Sequence, residues 1–272
     1  MTTIGADAGG GAGGRDGGTW FVEVADFLGP AYLRYSFTKG TEQEVDFLVG
    51  ALGLEAGVHR ILDVGCGPGR HAHAFARRGF EVHGVDISDT FVDLARAGAP
   101  PGATFAVADA RHLAFDADFD IAISLCQGGF GLVGDDDGDV LAGMARAVEP
   151  GTGRVAFSAF SAYFMLRYLE DHDSFDADRG VNTETTELRN DAGETRSAEL
   201  HTSCFTPREL RLLCRAAGLA PEAVWSVTPG AYAMAPPTTD SPEFLVVGVR
   251  LSVASADPPP ATDPSKAQTT SP

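Results

Sequence analysis

The sequence predicts an α/β fold in which helices cover both faces of a mostly parallel sheet. Three observations predict this fold class. Short apolar runs alternate with amphipathic segments of helical period between residues 41 and 160. A strand–helix–strand order of this kind builds parallel strand pairs with crossover helices, as in a doubly wound sheet. The glycine-rich stretch GCGPG at residues 65–69 follows one of the first apolar runs, where such sheets place a ligand-binding turn.

The elements of the first half can be assigned in chain order. Thr41 and Glu44 have the spacing of a capping box, which predicts the start of a helix that Gly53 ends. Ser88 is predicted to cap a later helix. Strands are predicted at about 60–64, 80–85, 104–107, 119–125 and 155–160, and further helices at about 70–78 and 140–148.

The pattern changes after residue 160. Two strand-like runs, 182–189 and 195–203, flank a turn at 190–193 and predict a β-hairpin. A second capping box runs from Thr206 to Glu209 and predicts another helix. Late strands at about 223–228 and 243–250 complete the sheet. We expect seven strands in the sheet, with the last one antiparallel, and an antiparallel hairpin insertion after the fifth strand.

Length and composition predict one folded domain. The chain has 272 residues, 44% of them hydrophobic, which is enough for one sizeable core. Residues 1–18 are rich in glycine and residues 253–272 in proline, serine and threonine, so both are predicted to be disordered tails. The domain is therefore expected at 19–252, with the insertion at about 161–205. No apolar run reaches 18 residues, so no membrane span is predicted.

Charge and cysteine content exclude several classes of partner. With 20 basic and 38 acidic residues the formal net charge is −18, which disfavours nucleic acid because that affinity depends on Lys and Arg. The four cysteines form no C-x-x-C pair, so neither a zinc site nor a disulfide framework is indicated. No secretory signal is evident. We expect reduced thiols in a cytoplasmic protein, either a monomer or a homodimer.

The glycine turn itself limits the nucleotide that it can bind. A dinucleotide fingerprint needs G-x-G-x-x-G, and here the third glycine position is Arg70. The lysine-containing phosphate loop is absent as well. Asp63 precedes the first glycine by two residues. Its carboxylate would repel a pyrophosphate but suits an ammonium or sulfonium group, which disfavours an NAD-dependent oxidoreductase.

Several segments together resemble the class I S-adenosylmethionine (SAM)-dependent methyltransferases. The pattern D-x-G-x-G-x-G at residues 63–69 is similar to motif I of that family. Asp86, in HGVDIS, resembles the acid that accepts from both ribose hydroxyls, and Asp109, in VADARHL, the residue that accepts from the adenine amino group. VEPGTGRVAF and CFTPRELRLLCRAAGL resemble later family segments. The resemblance covers about residues 20–250 and implies a Rossmann-like fold.

Within that family the chain is most similar to the small-molecule branch. SLCQGGFGLVGDD resembles the corresponding segment of glycine- and sarcosine-type enzymes, and the predicted hairpin resembles strands that those enzymes place over the active site. The N-P-P-Y motif of base and peptide-amide methyltransferases is missing. The resemblance therefore implies methyl transfer from SAM to a small-molecule acceptor. The alternatives are an RNA or protein methyltransferase on the same fold and a non-catalytic SAM-binding module.

The resemblance also implies a set of site residues. Those expected to bind the cofactor are Asp63, Gly65, Cys66, Gly67, Gly69, Asp86, Ile87, Asp109, Ala110, Leu125 and Gln127, with Tyr35 and Lys39 near its carboxylate. Those expected near the substrate are Tyr32, Phe37, Phe130, Phe160, Tyr163, Arg167 and Tyr232. His201, on the predicted hairpin, is the candidate catalytic base. In-line displacement from a sulfonium needs no metal, and none is predicted.

Overall fold

In the computed structural model, which describes residues 19–252, a central sheet separates two hydrophobic cores. Its strands and those of the insertion are β1 Arg60–Val64, β2 Glu81–Asp86, β3 Ala103–Val107, β4 Ile121–Ser124, β5 Arg154–Ser161, β6 Asp173–Asp176, β7 Val181–Arg189, β8 Thr195–Phe205, β9 Leu219–Val227 and β10 Glu243–Arg250. The α-helices are α1 Thr19–Leu28, α2 Thr41–Leu52, α3 Arg70–Arg77, α4 Asp89–Ala97, α5 Asp137–Ala147, α6 Ala162–Arg167 and α7 Pro207–Ala216. The two predicted tails lie outside the described residues.

The central sheet has the predicted doubly wound arrangement. Its order is β3-β2-β1-β4-β5-β10-β9, with β1 to β5 parallel and β10 antiparallel to both of its neighbours. Successive strand residues point to opposite faces. Ile61 therefore packs in one core with Phe75, while Leu62 packs in the other with Met144, and all four are fully buried. The predicted fold class is confirmed, including the antiparallel last strand.

The insertion forms a small antiparallel sheet beside the central one. β7 and β8 pair over their whole length, which confirms the predicted hairpin, and the end of β8 joins the end of β5 in parallel. The acidic composition of residues 171–178 predicts a solvated loop, but this segment contains β6, which pairs with β7. This expectation was wrong because strand pairing uses backbone groups, which a polar sequence supplies as well as an apolar one. Between residues 19 and 252, no helix has the length and apolar character needed to cross a membrane.

The predicted capping box of α2 does not form. Gly40 is the N-cap, and the Thr41 hydroxyl donates to the carbonyl of Thr38. The Glu44 side chain is fully buried and bonds away from its own helix. One of its oxygens accepts from Arg70 at 3.0 Å and contacts His71 Nε2 at 2.7 Å, and the other accepts from the backbone of residue 230 at 2.9 Å. Sequence spacing alone does not distinguish a cap from such a cross-link.

We predict that Glu44→Gln lowers the free energy of unfolding by about 3 kcal/mol, because it leaves buried Arg70 without its anionic partner. Glu209→Gln is the matched control. Glu209 completes a true capping box with Thr206, and glutamine serves that motif as well as glutamate. Urea unfolding of both variants measures the difference. Equal losses would show that Glu44 acts only as a local helix residue.

Candidate functional site

The glycine turn after β1 lies against the loop after β4. Gly65, Gly67 and Gly69 all have positive φ angles, of 69°, 54° and 84°. A Cβ atom on Gly65 would lie 1.8 Å from the carbonyl carbon of Gly128. No side chain fits there, so the two backbones can approach this closely only through glycine. The contact brings the carboxyl ends of β1 and β4 together at the edge where doubly wound sheets bind ligands.

Asp86 holds the turn from the end of β2. Its carboxylate accepts from the backbone N–H of Gly67 at 2.8 Å and from that of Ser88 at 2.9 Å. Ser88 in turn caps α4, as predicted. Burial raises the pKa of Asp86 to about 6, against the lowering effect of these hydrogen bonds. The turn, β2 and α4 are therefore fixed relative to one another by one buried carboxyl group.

Asp86 also lines a cavity at the ends of the strands. Its walls are Phe21, Gly65, Asp86, Ile87, Ala108, Asp109, Ala110, Arg111, Gly128, Gly129, Leu132 and Val133. Four of the predicted cofactor residues beyond the turn, Asp86, Ile87, Asp109 and Ala110, thus come together in one place. The volume of this cavity is only about 30 Å³. Phe21, from α1, closes one side, so a large ligand requires α1 to move.

Asp109 is paired at the cavity wall. Its carboxylate accepts from the Arg111 guanidinium at 2.6 Å and from the Arg111 backbone N–H at 3.0 Å. These hydrogen bonds hold the pKa of Asp109 below its usual range. The carboxylate is therefore ionised, and Arg111, which the sequence analysis did not single out, belongs to the same wall.

Asp63 is a buried carboxyl group with spare hydrogen-bonding capacity. It is 2% exposed at the end of β1, and among the described residues its Oδ2 atom has no hydrogen-bond partner. Burial raises its pKa from an ordinary 3.8 to about 7, although Arg70 and a backbone hydrogen bond from Ala72 act in the opposite direction. A positively charged ligand group at Oδ2 would supply the missing partner and favour the ionised form.

Buried polar groups that the sequence analysis did not assign to the cofactor lie near Arg70, which also acts on Asp63. Arg70 Nη2, Tyr232 Oη and Glu243 Oε2 are buried and have no hydrogen-bond partner within residues 19–252. Arg70 lowers the pKa of Asp63, of Tyr232 and of Glu243, which shows that these groups face one region. Burial raises the pKa of Glu243 to about 7. Arg70 carried a sequence signal, its place directly after the turn, whereas Glu243 opens an apolar strand and carried none.

The loop after β4 is strained and tightly held. Cys126 and Gln127 have φ angles of 52° and 54°, in the left-handed region that non-glycine residues seldom adopt. The backbone N–H of Cys126 donates to Ser158 at 2.7 Å, and that of Gly129 donates to Ser124 at 3.2 Å. Gln127 Nε2 is buried without a hydrogen-bond partner among the described residues. Such strain is typical of functional loops whose surroundings fix them.

One group of side chains has the composition of a metal site but already contains a cation. Ligand atoms of Glu44, His71 and Cys126 lie within 4.8 Å of one another. The Arg70 guanidinium, however, donates to the same Glu44 oxygen that contacts His71. Burial and Arg70 lower the pKa of His71 to about 4, so the imidazole is neutral. We interpret this group as a packed hydrogen-bonding cluster and assign it no metal.

Three of the predicted residues do not line the first cavity. Phe130 is fully buried between Phe157 and Phe205, and Leu125 packs in the core. Lys39 is exposed in a surface cleft that Arg70 also lines. Apolar strand ends and flexible lysines carry no sequence mark that separates packing from binding, and these assignments stay predictions.

Of the remaining residues predicted near the cofactor or the substrate, some lie at the site and others lie at the surface. Tyr32 covers the glycine turn, since a Cβ on Gly67 would lie 3.9 Å from its ring. Tyr35 packs against the cluster between α1 and the hairpin. Tyr163 is exposed on α6, and Arg167 forms a surface ion pair with Asp240. Phe160 is half-buried at the end of β5, and the side chain of Phe37 lies outside the described set.

His201 lies on a second cavity, between α1 and the β7–β8 hairpin. The volume of this cavity is about 280 Å³, and its lining includes Trp20, Glu23, Phe27 and His201. The rings of His201 and Trp20 meet edge to face at 5.4 Å, and His201 Nδ1 is 3.0 Å from the Thr183 hydroxyl. Trp20 is next in sequence to Phe21 of the first cavity, so α1 separates the two cavities.

Part of the chain is similar in sequence to known methyltransferases. Residues 61–151 match the family described as "Methyltransferase domain". The chain is 34% identical over 125 residues to the methyltransferase GfsG of Streptomyces halstedii, an alignment that covers 43% of each chain. It is 48% identical over 52 residues to a ubiquinone biosynthesis O-methyltransferase of Alkalilimnicola ehrlichii, covering 19% of this chain and 21% of that one. The chain thus spans less than half the length of the curated relatives it matches.

Solved structures extend the likeness to the whole fold. The CcbJ methyltransferase of Streptomyces caelestis superposes with a TM-score of 0.69 at 21% identity, over 84% of this chain and 98% of that one. SAM-bound CalS10 of Micromonospora echinaspora, described as an amino pentose methyltransferase, superposes with a TM-score of 0.58 at 22% identity, over 81% and 95%. The fold is therefore that of SAM-dependent methyltransferases, which confirms the predicted fold class. The likenesses do not single out the glycine- and sarcosine-type branch.

We predict that Asp63→Asn stabilises the ligand-free protein at pH 8 and not at pH 4. The folded pKa of about 7 lies above the ordinary value of 3.8. The contribution of Asp63 to stability is therefore fully present below pH 4 and is lost as the pH rises to about 7. Removing the carboxylate should raise the unfolding free energy at pH 8 by about 1–2 kcal/mol.

Thermal unfolding of this variant at several pH values provides the measurement. Asp93→Asn is the control, because Asp93 is an exposed aspartate on α4 and its removal should leave the pH dependence unchanged. A stabilisation of Asp63→Asn that is the same at pH 4 and pH 8 would contradict the assignment of a buried, titrating carboxyl group.

Proposed function

We propose that this chain transfers a methyl group from SAM to a small-molecule acceptor. The observation that carries the proposal is a pair of buried acids at one glycine turn. Asp63 precedes the turn, and Asp86 accepts a hydrogen bond from Gly67 within it. Two carboxylates in this position exclude a pyrophosphate but match a ligand that has hydroxyl donors at one end and a cationic amino group at the other.

In this proposal the cofactor makes three sets of contacts, two of them with residues of the first cavity. Asp86 accepts hydrogen bonds from the ribose hydroxyls. Asp109 and the backbone of Ala110 bind the adenine. At the other end, Asp63 accepts from the amino group, while Arg70 Nη2 and Tyr232 Oη donate to the carboxylate. The support for the last pair is that both atoms are buried and unpaired in the described structure, and a bound carboxylate would satisfy them.

The protein's part in the chemistry is to position the reactants and exclude water. SAM, when bound, supplies a methyl group already activated by the positive sulfur. Tyr32 covers Gly67 at one side of the site, and Phe21 covers the cavity at the other. Phe91 contacts both of these rings, at 4.8 Å and 6.0 Å between ring centroids. This aromatic cover keeps competing water from the sulfonium and holds the acceptor in line.

A small acceptor is favoured by charge and by the size of the second cavity. The net charge of −18 works against binding of a phosphate backbone. The cavity of about 280 Å³ is near the lower end of the ~300–1,000 Å³ that small-molecule sites occupy. A glycine- or sarcosine-type amine, which the resemblance of residues 124–136 implies, belongs to this class of acceptor.

We predict that the full chain binds SAM and S-adenosylhomocysteine, and that Asp86→Asn weakens both by about ten- to hundredfold, because hydrogen bonds to a charged acceptor contribute ~1.5–3 kcal/mol. Calorimetric titration measures this effect. Asp89→Asn is the matched control, an exposed aspartate three residues further along the same loop and helix start. It should bind both ligands normally.

NAD is titrated in parallel. Binding of NAD in place of SAM, or of neither, overturns the proposal. Binding of SAM without S-adenosylhomocysteine formation against a broad metabolite panel would instead support a non-catalytic SAM-binding module. Methyl incorporation into RNA or protein would replace the small-molecule acceptor with a macromolecular one.

A further inference from the structure

We infer that the cavity between α1 and the β7–β8 hairpin binds the acceptor, and that this acceptor is an amine with an apolar body. The inference rests on the proposed methyl transfer and adds the acceptor's location and chemical class. The full lining is Trp20, Glu23, Val24, Phe27, Leu188, Arg196, Ser197, Ala198, Glu199 and His201. Apolar and charged groups are thus combined within one cavity.

The position of this cavity suits an acceptor. The helix α1 is its shared wall with the cofactor cavity, because Trp20 lines one side and Phe21 lines the other, with ring centroids 5.7 Å apart. The second link is β8. The backbone N–H of Ser203, two residues after His201, donates at 2.8 Å to Gly131, whose neighbour Leu132 lines the cofactor cavity. A small movement of α1 therefore connects the two spaces.

The charges of the lining select a cation. The lining contains two carboxylates, Glu23 and Glu199, and one guanidinium, Arg196. Glu23 pairs with Arg196 at 2.9 Å. This pairing leaves Glu199 as the carboxylate available to an incoming ammonium group. An acidic ligand would instead meet a net negative lining.

The apolar part of the lining selects a body of matching character. Trp20 and Phe27 lie on the same face of α1, seven residues apart, and Leu188 and Ala198 face them from the hairpin in one apolar cluster. Aromatic walls accept an apolar or aromatic ring, and they also attract a cation through their π faces. An amine on a ring-sized apolar body satisfies both parts of the cavity.

The reaction balances with groups on this cavity. The acceptor enters as an ammonium ion and gives one proton to His201. The nitrogen lone pair then forms the new N–C bond to the methyl carbon as the C–S bond breaks. The electron pair of the broken bond remains on sulfur, which becomes neutral, and the methylated nitrogen carries the positive charge. No further reactant is required.

Intrinsic fluorescence gives a direct test, because the chain has two tryptophans, Trp20 and Trp225. Trp225 packs on Phe47, at the opposite side of the domain core. In a Trp225→Phe background, Trp20 is the only indole. Benzylamine, benzyl alcohol and benzoate are titrated separately as probes of one size and three charges. We expect benzylamine to bind most tightly and benzoate most weakly.

Charge variants distinguish binding in the cavity from general electrostatic attraction to the protein surface. Glu199→Gln should weaken benzylamine binding by about three- to fivefold, as expected for one solvent-exposed ion pair, and leave benzyl alcohol unchanged. Glu187→Gln is the control, an exposed carboxylate on the same hairpin that does not line the cavity. Equal affinities for the three ligands, tightest binding of benzoate, or equal effects of the two variants would overturn the inference.

SAM titration of the same variants keeps the two proposals distinct. Both variants should bind SAM like the parent chain, since neither residue lines the cofactor cavity. If SAM fails to bind while benzylamine still prefers the cavity, the proposed methyl transfer is wrong and the amine site stands. If SAM binds and the preference for benzylamine is absent, the amine site is wrong and the proposed methyl transfer stands.

Discussion

The close approach of two backbone turns determines the shape of the site. Gly65 and Gly128 lie so near each other that a single Cβ atom on either would collide with the other's carbonyl group. Because of this contact, the loop after β4 packs directly against the turn after β1. Asp63 is buried at the end of β1, and Gln127 in the loop adopts a strained conformation. Main-chain geometry therefore places the turn and the loop that line this edge.

The second constraint is the packing of α1 between two layers. One side of this helix contacts α4 through the Phe21–Phe91 pair, and the other faces the hairpin through Trp20 and Phe27. Its exposed acids Glu23 and Asp26 accept hydrogen bonds from Arg196 of the hairpin and Thr90 of α4. The position of α1 therefore depends on both neighbours. Entry of cofactor and acceptor would then be linked through a single moving element.

Local patterns in the sequence predicted most of the fold. The strand at residues 60–64 and the helix capped by Ser88 followed from signals that act within a few residues, and both form as predicted. The capping box at Thr41 failed because Glu44 reaches a partner 26 residues away. Spacing within a helix contains no information about such a partner. The prediction of a loop at β6 failed for a similar reason. Its pairing with β7 uses backbone hydrogen bonds, which the side-chain pattern does not reveal.

The sequence predicted those parts of the candidate site whose position depends on the backbone. It did not predict the parts whose position depends on side-chain packing. The turn at 65–69 and Asp86 come together because the sheet topology requires it. Phe130 packs against Phe157, and Lys39 lies in a cleft that Arg70 also lines. Both placements depend on the complete fold and not on local sequence. Arg111, Arg70 and Glu243 were missed because charged residues next to strands are common in every α/β protein. Only the structure shows which of them are buried.

The buried and incompletely paired charges of the site reduce the stability of the ligand-free fold and leave groups available to bind a ligand. Asp63 and Glu243 have pKa values raised to about 7, and Asp86 to about 6, by burial. At neutral pH a large part of these groups must either hold a proton or remain ionised without a full set of partners, and both states reduce stability. A core built only for stability would replace them with apolar residues. Asp63 and Glu243 lie near Arg70 at one edge of the sheet. In the proposed function, the amino-acid end of SAM has both a cationic and an anionic group and would complete their pairing.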